Sequence, residues 1–203
     1  MTQPVKQTQK RGFVYLAGPD VFYPDPIGVG HRKKEILRRI GLEGRFPMDN
    51  KIDFKGKRLE DVALEIGRAN EAMIKDCDII IANMEPWHGP SMDVGTAYEM
   101  GFGRALGKIV VGYSHDRRPF SERVKTFLDK EKASHPEWKG HFRSKDGREY
   151  GPDDNLIESF GQMADNLMMV NAIVESGVSF IIPATFEDAA TTAKSLWDQK
   201  RTK

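Results

Sequence analysis

Glu99 is the residue in this chain whose position most invites a chemical reading. Helical spacing puts Gly95, Glu99, Phe102, Gly103 and Leu106 on one face. A carboxylate on an apolar, glycine-lined stripe is unfavourable unless it finds a partner, and Gly95 one turn earlier leaves open space beside it. So placed, a glutamate can attack an electron-poor carbon or stabilise positive charge developing on it. The commoner fate of a glutamate is a solvated helix surface, and spacing alone leaves the two readings level. Asp93, at the start of the same helical pattern, reads first as an N-cap or first-turn acid. Tyr15 alternates with Phe13 and reads as a core tyrosine whose hydroxyl needs a partner. Asn70 and Asn166 fall in helical patterns where an exposed amide is the plain reading. Asp20 and Asp25 sit in a proline-rich loop that favours turn-forming aspartates.

These residues need elements to bring them together. Phe13 to Ala17 is a short apolar run ended by Gly18-Pro19, and reads as a buried strand. Arg45 to Met48 is a weaker strand candidate. Asp78 to Asn83 contains Ile79-Ile80-Ile81, apolar on both faces as in a parallel sheet covered on both sides. Lys108 to Tyr113 is a further buried strand and Val178 to Ile182 a last short one. Helical patterns run over Val29 to Ile40, Leu59 to Asp76, Val94 to Leu106, Leu167 to Ser176 and Phe186 to Gln199. Strict alternation of strand and helix predicts a doubly wound α/β fold. Residues 114–155 break the pattern: they are polar, too long for an ordinary connection, and read as an insertion or lid with some helix. In such sheets ligands bind beyond the carboxyl ends of the strands. Three of those ends carry polar groups: Tyr15 to Asp20, Pro47 to Asn50, and Asn83 with the loop to Ser91-Met92-Asp93. A site made there is rich in carboxylates and has no cationic phosphate clamp.

Composition narrows the function. The chain has 203 residues, 39% apolar and 30% charged, with a net charge of +1, so no global basic field points to nucleic acid. No run of about eighteen apolar residues suggests a membrane span. Residues 1–12 lack the apolar stretch of a signal peptide and read as a flexible tail before a single domain over 13–203. Cys77 is the only cysteine, which excludes an internal disulfide and fits a reducing, cytoplasmic setting. His31, His88, His115, His135 and His141 form no recognisable ligand set, so neither a metal nor another cofactor is expected. Gly28-Val29-Gly30 is no dinucleotide fingerprint, and no phosphate-binding P-loop is present. Trp138 and Phe142 can stack on a base, though packing the insertion is the plainer reading.

Read together, these positions resemble the nucleoside 2-deoxyribosyltransferase family. The likeness runs through most of 13–113 and resumes near 160. The segments that carry it are VYLAGPDVF, PMDN, NEAMIKDCDIIIANM, DVGTAYEMGFGRALGK and DNLMM. The most specific is the fourth, which is similar to the family's Asp-x-Gly-x-x-x-Glu-x-Gly core. The resemblance implies a flavodoxin-like, five-stranded parallel sheet, to which the residue pattern adds the polar insertion after the fourth strand. It implies Glu99 as nucleophile with Tyr15 and Asp93 as catalytic companions. Gly18, Asp20, Asp49, Asn50, Asn70 and Gly95 fall in the substrate-binding segments. Asn166 is expected to reach a neighbouring subunit's site in a homo-oligomer. The expected partners are deoxynucleosides and free nucleobases, as in nucleotide salvage, with no nucleic acid and no membrane.

The chemistry fits those residue types. Breaking an N-glycosidic bond builds oxocarbenium character at C1′, which a carboxylate below the sugar stabilises and then captures. Asn70 is no general acid, so the leaving base takes its proton from elsewhere, water or Asp49. Two rivals remain: an N-glycosidase acting on deoxynucleoside 5′-monophosphates, and a non-catalytic nucleotide-sensing module on the same fold.

Overall fold

A computed structural model of the chain describes residues 11–135, 143–145, 148–151 and 155–202. Residues 1–10 of the expected tail, and Trp138, His141 and Phe142, lie outside them. β1 (Gly12–Ala17), β2 (Leu42–Arg45), β3 (Ile79–Asn83) and β4 (Ile109–Tyr113) form a parallel sheet in the order β2-β1-β3-β4. Gly12 pairs with Leu42, Val14 with Ile79, and Ile79 with Ile109. Every residue of β3 and β4 is buried, because helices cover both faces. α1 (Pro26–Arg39) and α6 (Phe186–Thr202) pack on one face, and α2 (Leu59–Asp76), α3 (Val94–Ala105) and α5 (Leu167–Val174) on the other. This is the doubly wound flavodoxin-like arrangement.

Three boundaries differ from expectation. α1 begins at Pro26, before Val29, because Asp25 caps it by accepting the Gly28 N–H at 2.9 Å. β2 lies at Leu42–Arg45 and not at 45–48: Leu42 and Gly44 turn inward, and Pro47, which has no N–H to give, opens a 3-10 turn over Pro47–Asp49. Val178 to Ile182 runs beside β4 without forming a strand, so four strands pair and the fifth segment does not. Local side chains take the donors that a ladder would use. The Val110 N–H goes to Ser176 Oγ at 2.9 Å, and the Ile181 N–H goes to Ser179 Oγ at 3.1 Å. The backbone meets β4 at its end, where the Ser114 N–H donates to the Pro183 carbonyl.

The 114–155 insertion contains α4 (Phe120–Ser134) and an antiparallel hairpin, β5 (Arg143–Lys145) with β6 (Arg148–Tyr150). Among the described residues no helix is long and apolar enough to cross a membrane.

Candidate active site

β1 places Tyr15 in the core at 0% exposure, under α3. Its hydroxyl donates to Glu99 Oε1. α3 lies close on the sheet because Gly103, one turn beyond Glu99, sits against Ile80 of β3, where a Cβ would come within 2.6 Å of that side chain. Glu99 is half-buried. Its other oxygen, Oε2, takes no hydrogen bond among the described residues. Burial pushes the Glu99 carboxyl up to about 7; the Tyr15 hydroxyl opposes the rise and the Asp93 charge adds to it. Burial, reinforced by the Glu99 charge, holds the Tyr15 hydroxyl well above its ordinary value, so it stays a neutral donor.

Glu99 opens onto a cavity of about 430 Å³. At its floor are Glu99, Asp93, Gly95 and Gly18. Asp93 both caps α3, accepting the Thr96 N–H at 2.8 Å, and lines the cavity, so its two sequence readings are compatible. A Cβ at Gly95 would meet the Asp93 carboxylate at 3.1 Å. Gly18 has φ 151, a conformation that side chains rarely adopt, and a Cβ there would strike Asn83 and Asp20. The upper walls are apolar: Val21 and Phe22 from the first loop, Pro47, Met48, Ile52 and Phe54 from the second, and Ile66 from α2. Asn50 and Asn70 stand among them, joined by Asn50 Nδ2 donating to Asn70 Oδ1 at 3.0 Å. The arrangement offers a carboxylate with a free oxygen at one end and an apolar slot with an amide pair at the other. Neither lysine nor arginine lines the described cavity.

Three residues of the expected substrate-binding set are not brought into it. Asp20 is buried, paired with Lys33 Nζ at 2.7 Å and accepting from Asn83 Nδ2 at 3.3 Å. Lys33 also donates to the Tyr113 hydroxyl at 2.7 Å. Asp49 accepts the Phe46 N–H at 2.9 Å, pairs with Lys34, and does not line the cavity. Asn166 caps α5 through Met168 N and donates to Glu158 Oε2 at 2.6 Å. Sequence reasoning missed Lys33, which read as one of several cations in a basic helical pattern, and Asp165, discussed below. Their signal is spatial: each acquires its partner from a distant segment. Among the described residues no group of three or more His, Cys, Asp or Glu side chains is arranged to hold a metal.

Comparison with known proteins shows the family and the fold. Residues 14–168 match the family model described as nucleoside 2-deoxyribosyltransferase, and the chain belongs to that family. A 2-desoxiribosyltransferase from Leishmania mexicana superposes with a TM-score of 0.61 at 26% identity, over 91% of this chain and 97% of that one. A conserved protein from Enterococcus faecalis V583 shares the fold, with a TM-score of 0.54 at 19% identity over 92% and 99% of the two chains. An uncharacterized protein of Schizosaccharomyces pombe is 29% identical over 192 residues, covering 94% of this chain and 90% of its own length.

Proposed function

We propose that the protein transfers 2-deoxyribose between nucleobases by a retaining double displacement through a deoxyribosyl-Glu99 ester. Glu99 Oε2 attacks C1′ as the C1′–N bond breaks, and the base departs with a proton. The incoming base then attacks C1′ through a ring nitrogen and gives up that nitrogen's proton to solvent, the C1′–Oε2 ester bond breaks, and the Glu99 carboxylate is freed; two inversions give retention. The carrying observation is the Tyr15–Glu99 pair, in which one carboxylate oxygen is held by a neutral donor and the other is free toward the cavity. The Asn50–Asn70 amides orient the base within the apolar slot. Asp93 holds sugar hydroxyls. The only titratable groups among the described lining residues are Asp93 and Glu99, so the proton for the leaving base comes from solvent. Lack of a 2′-hydroxyl eases cation formation at C1′ and favours deoxy substrates.

The absence of a cation from the described lining favours nucleosides over 5′-monophosphates. Asp20 does not contribute to that preference, since Lys33 neutralises it. Asn166, outside its own chain's cavity, serves a neighbour's site in a homo-oligomer. Mixing Glu99→Ala with Asn166→Ala under subunit exchange tests this: shared sites restore part of the activity, and self-contained ones restore none.

The test of the activity is base exchange. Deoxyinosine incubated with adenine yields deoxyadenosine and hypoxanthine. Free base and free deoxyribose alone would make the protein an N-glycosidase, and no product at all a binding module. A slow 2-fluoro deoxynucleoside leaves an adduct that intact-protein mass spectrometry and peptide mapping find on Glu99. An adduct on any other residue overturns the assignment.

A further inference from the structure

Asp165 is fully buried, at 0% exposure, and three of the residues it touches, Ser91, Met92 and Arg123, lie far from it in sequence. Its Oδ1 accepts Ser91 Oγ at 2.5 Å and the Asn166 N–H at 2.8 Å; its Oδ2 accepts the Met92 N–H at 2.9 Å. Arg123, on α4 of the insertion and 3% exposed, stands 3.4 Å from Oδ2 through Nη2, which also donates to the Ala164 carbonyl. The Arg123 Nε and Nη1 have no hydrogen-bond partner among the described residues. A buried guanidinium so thinly bonded is an unfavourable group to keep merely for packing. The other end of the Ser91 loop is closed by the Trp87 N–H donating to the Ser91 carbonyl at 2.9 Å. The residue after Met92 is Asp93, which caps α3 and lines the cavity beside Glu99.

We propose that Asp165, braced by Arg123 from the insertion helix, is a positioning residue: it clamps the Ser91–Met92 turn and thereby sets Asp93 against Glu99. The insertion then has a task at the site although none of its described residues lines the cavity. Calling the site catalytic rests on the function proposed above; the clamp itself does not. The titratable groups facing Glu99 are Tyr15 from β1 and Asp93 from the turn before α3. Releasing the turn withdraws Asp93 and admits water, and both lower the Glu99 titration midpoint.

The experiment is a carboxyl carbon NMR titration of the full-length protein, with the Glu99 signal assigned by its loss in Glu99→Gln. It needs no turnover, so failure of the transfer reaction appears separately, in the wild-type exchange assay. In Asp165→Asn the Glu99 midpoint falls by about half a unit or more. Arg123→Met separates the clamp from simple electrostatics. Losing a positive charge acts through space to raise the midpoint, whereas releasing the turn lowers it. A fall in both variants supports the clamp. An unchanged midpoint in folded Asp165→Asn, or a rise in Arg123→Met, overturns it. Should neither variant fold, Ser91→Ala decides: it removes one bond to Asp165, leaves the ion pair intact and changes no charge. A smaller fall supports the clamp and an unmoved midpoint overturns it.

Discussion

Two carboxylates stand near the carboxyl end of the same strand, β1, and meet opposite fates. Asp20 is buried, and a buried lysine neutralises it: Lys33 Nζ at 2.7 Å, itself held by the Tyr113 hydroxyl. Burial lowers the Lys33 ammonium pKa and the Asp20 charge opposes that fall, as in an ion pair kept for structure. Glu99 has no cation beside it among the described residues. Its partner Tyr15 is neutral, its nearest charged neighbour is another carboxylate, Asp93, and its carboxyl is pushed up to about 7. A fold that meant to store a carboxylate would treat it as it treats Asp20. Leaving Glu99 uncompensated carries a stability penalty, which the proposed nucleophile role would explain.

The comparison breaks most decisively if Glu99 proves dispensable. Glu99→Ala lowers exchange by about three orders of magnitude or more while circular dichroism and the melting transition stay cooperative. Exchange within tenfold of wild type would make Glu99 a misplaced surface acid and end the contrast.

The Asp20 side is tested by Lys33→Met, which leaves Asp20 buried and unpaired. Removing one partner of such a pair destabilises by about 3–5 kcal/mol, read by denaturant unfolding, and Asp20→Asn in the same background recovers part of it. Below the transition, the KM of the folded enzyme stays near wild type. A tenfold rise in KM would return Asp20 to the substrate-binding set.

Tyr15→Phe sharpens the Glu99 side. A hydrogen bond to a charged group contributes about 1.5–3 kcal/mol, so the chemical step slows by roughly one to two decades while KM moves little. Equal losses in kcat and in affinity would mean that the hydroxyl serves substrate binding and not the orientation of Glu99.

How far these fates were legible in the sequence depends on the range of the interactions that decide them. The central strands were legible because burial on both faces leaves an unbroken apolar run, as in Ile79-Ile80-Ile81. Glu99, Asp93 and Gly95 lie within one helix and its cap, where spacing drew attention to Glu99 and read Asp93 as a cap, while their place in the site came through the family segment. Tyr15, Gly18, Asn50 and Asn70 came through their family segments, and the structure gathers them around Glu99. The neutralisation of Asp20 was hidden, since Lys33 lies on the next helix and looks like any cation of α1. Arg123 and Asp165 meet across 42 positions, beyond any local pattern. The missing fifth strand follows from Ser176 and Ser179 satisfying donors that the apolar run alone would have offered to a ladder.

The smallest expected effect reaches the contrast from the stability side. Glu99 has a folded pKa of about 7, raised from a reference of 4.5. Between those values the folded protein binds the proton more tightly than the unfolded chain, so the unfolding free energy falls as pH rises from about 4.5 to about 7. The contribution is complete below the unfolded value and lost above the folded one. Glu99→Gln removes the titration and keeps an acceptor for the Tyr15 hydroxyl. The variant is therefore more stable than wild type above pH 7, by on the order of 2 kcal/mol, and the difference shrinks toward pH 4.5. Paired thermal melts across that range measure it, together with the acidic limb of exchange in wild type, which rises through the same pH as Glu99 becomes the nucleophile. An inactive variant that gains stability only at the higher pH is what an uncompensated catalytic carboxylate requires. The opposite sign, with Glu99→Gln weaker at pH 8 than wild type, would mean that the charge stabilises the fold as the paired Asp20 does, and the two sites would no longer differ in kind.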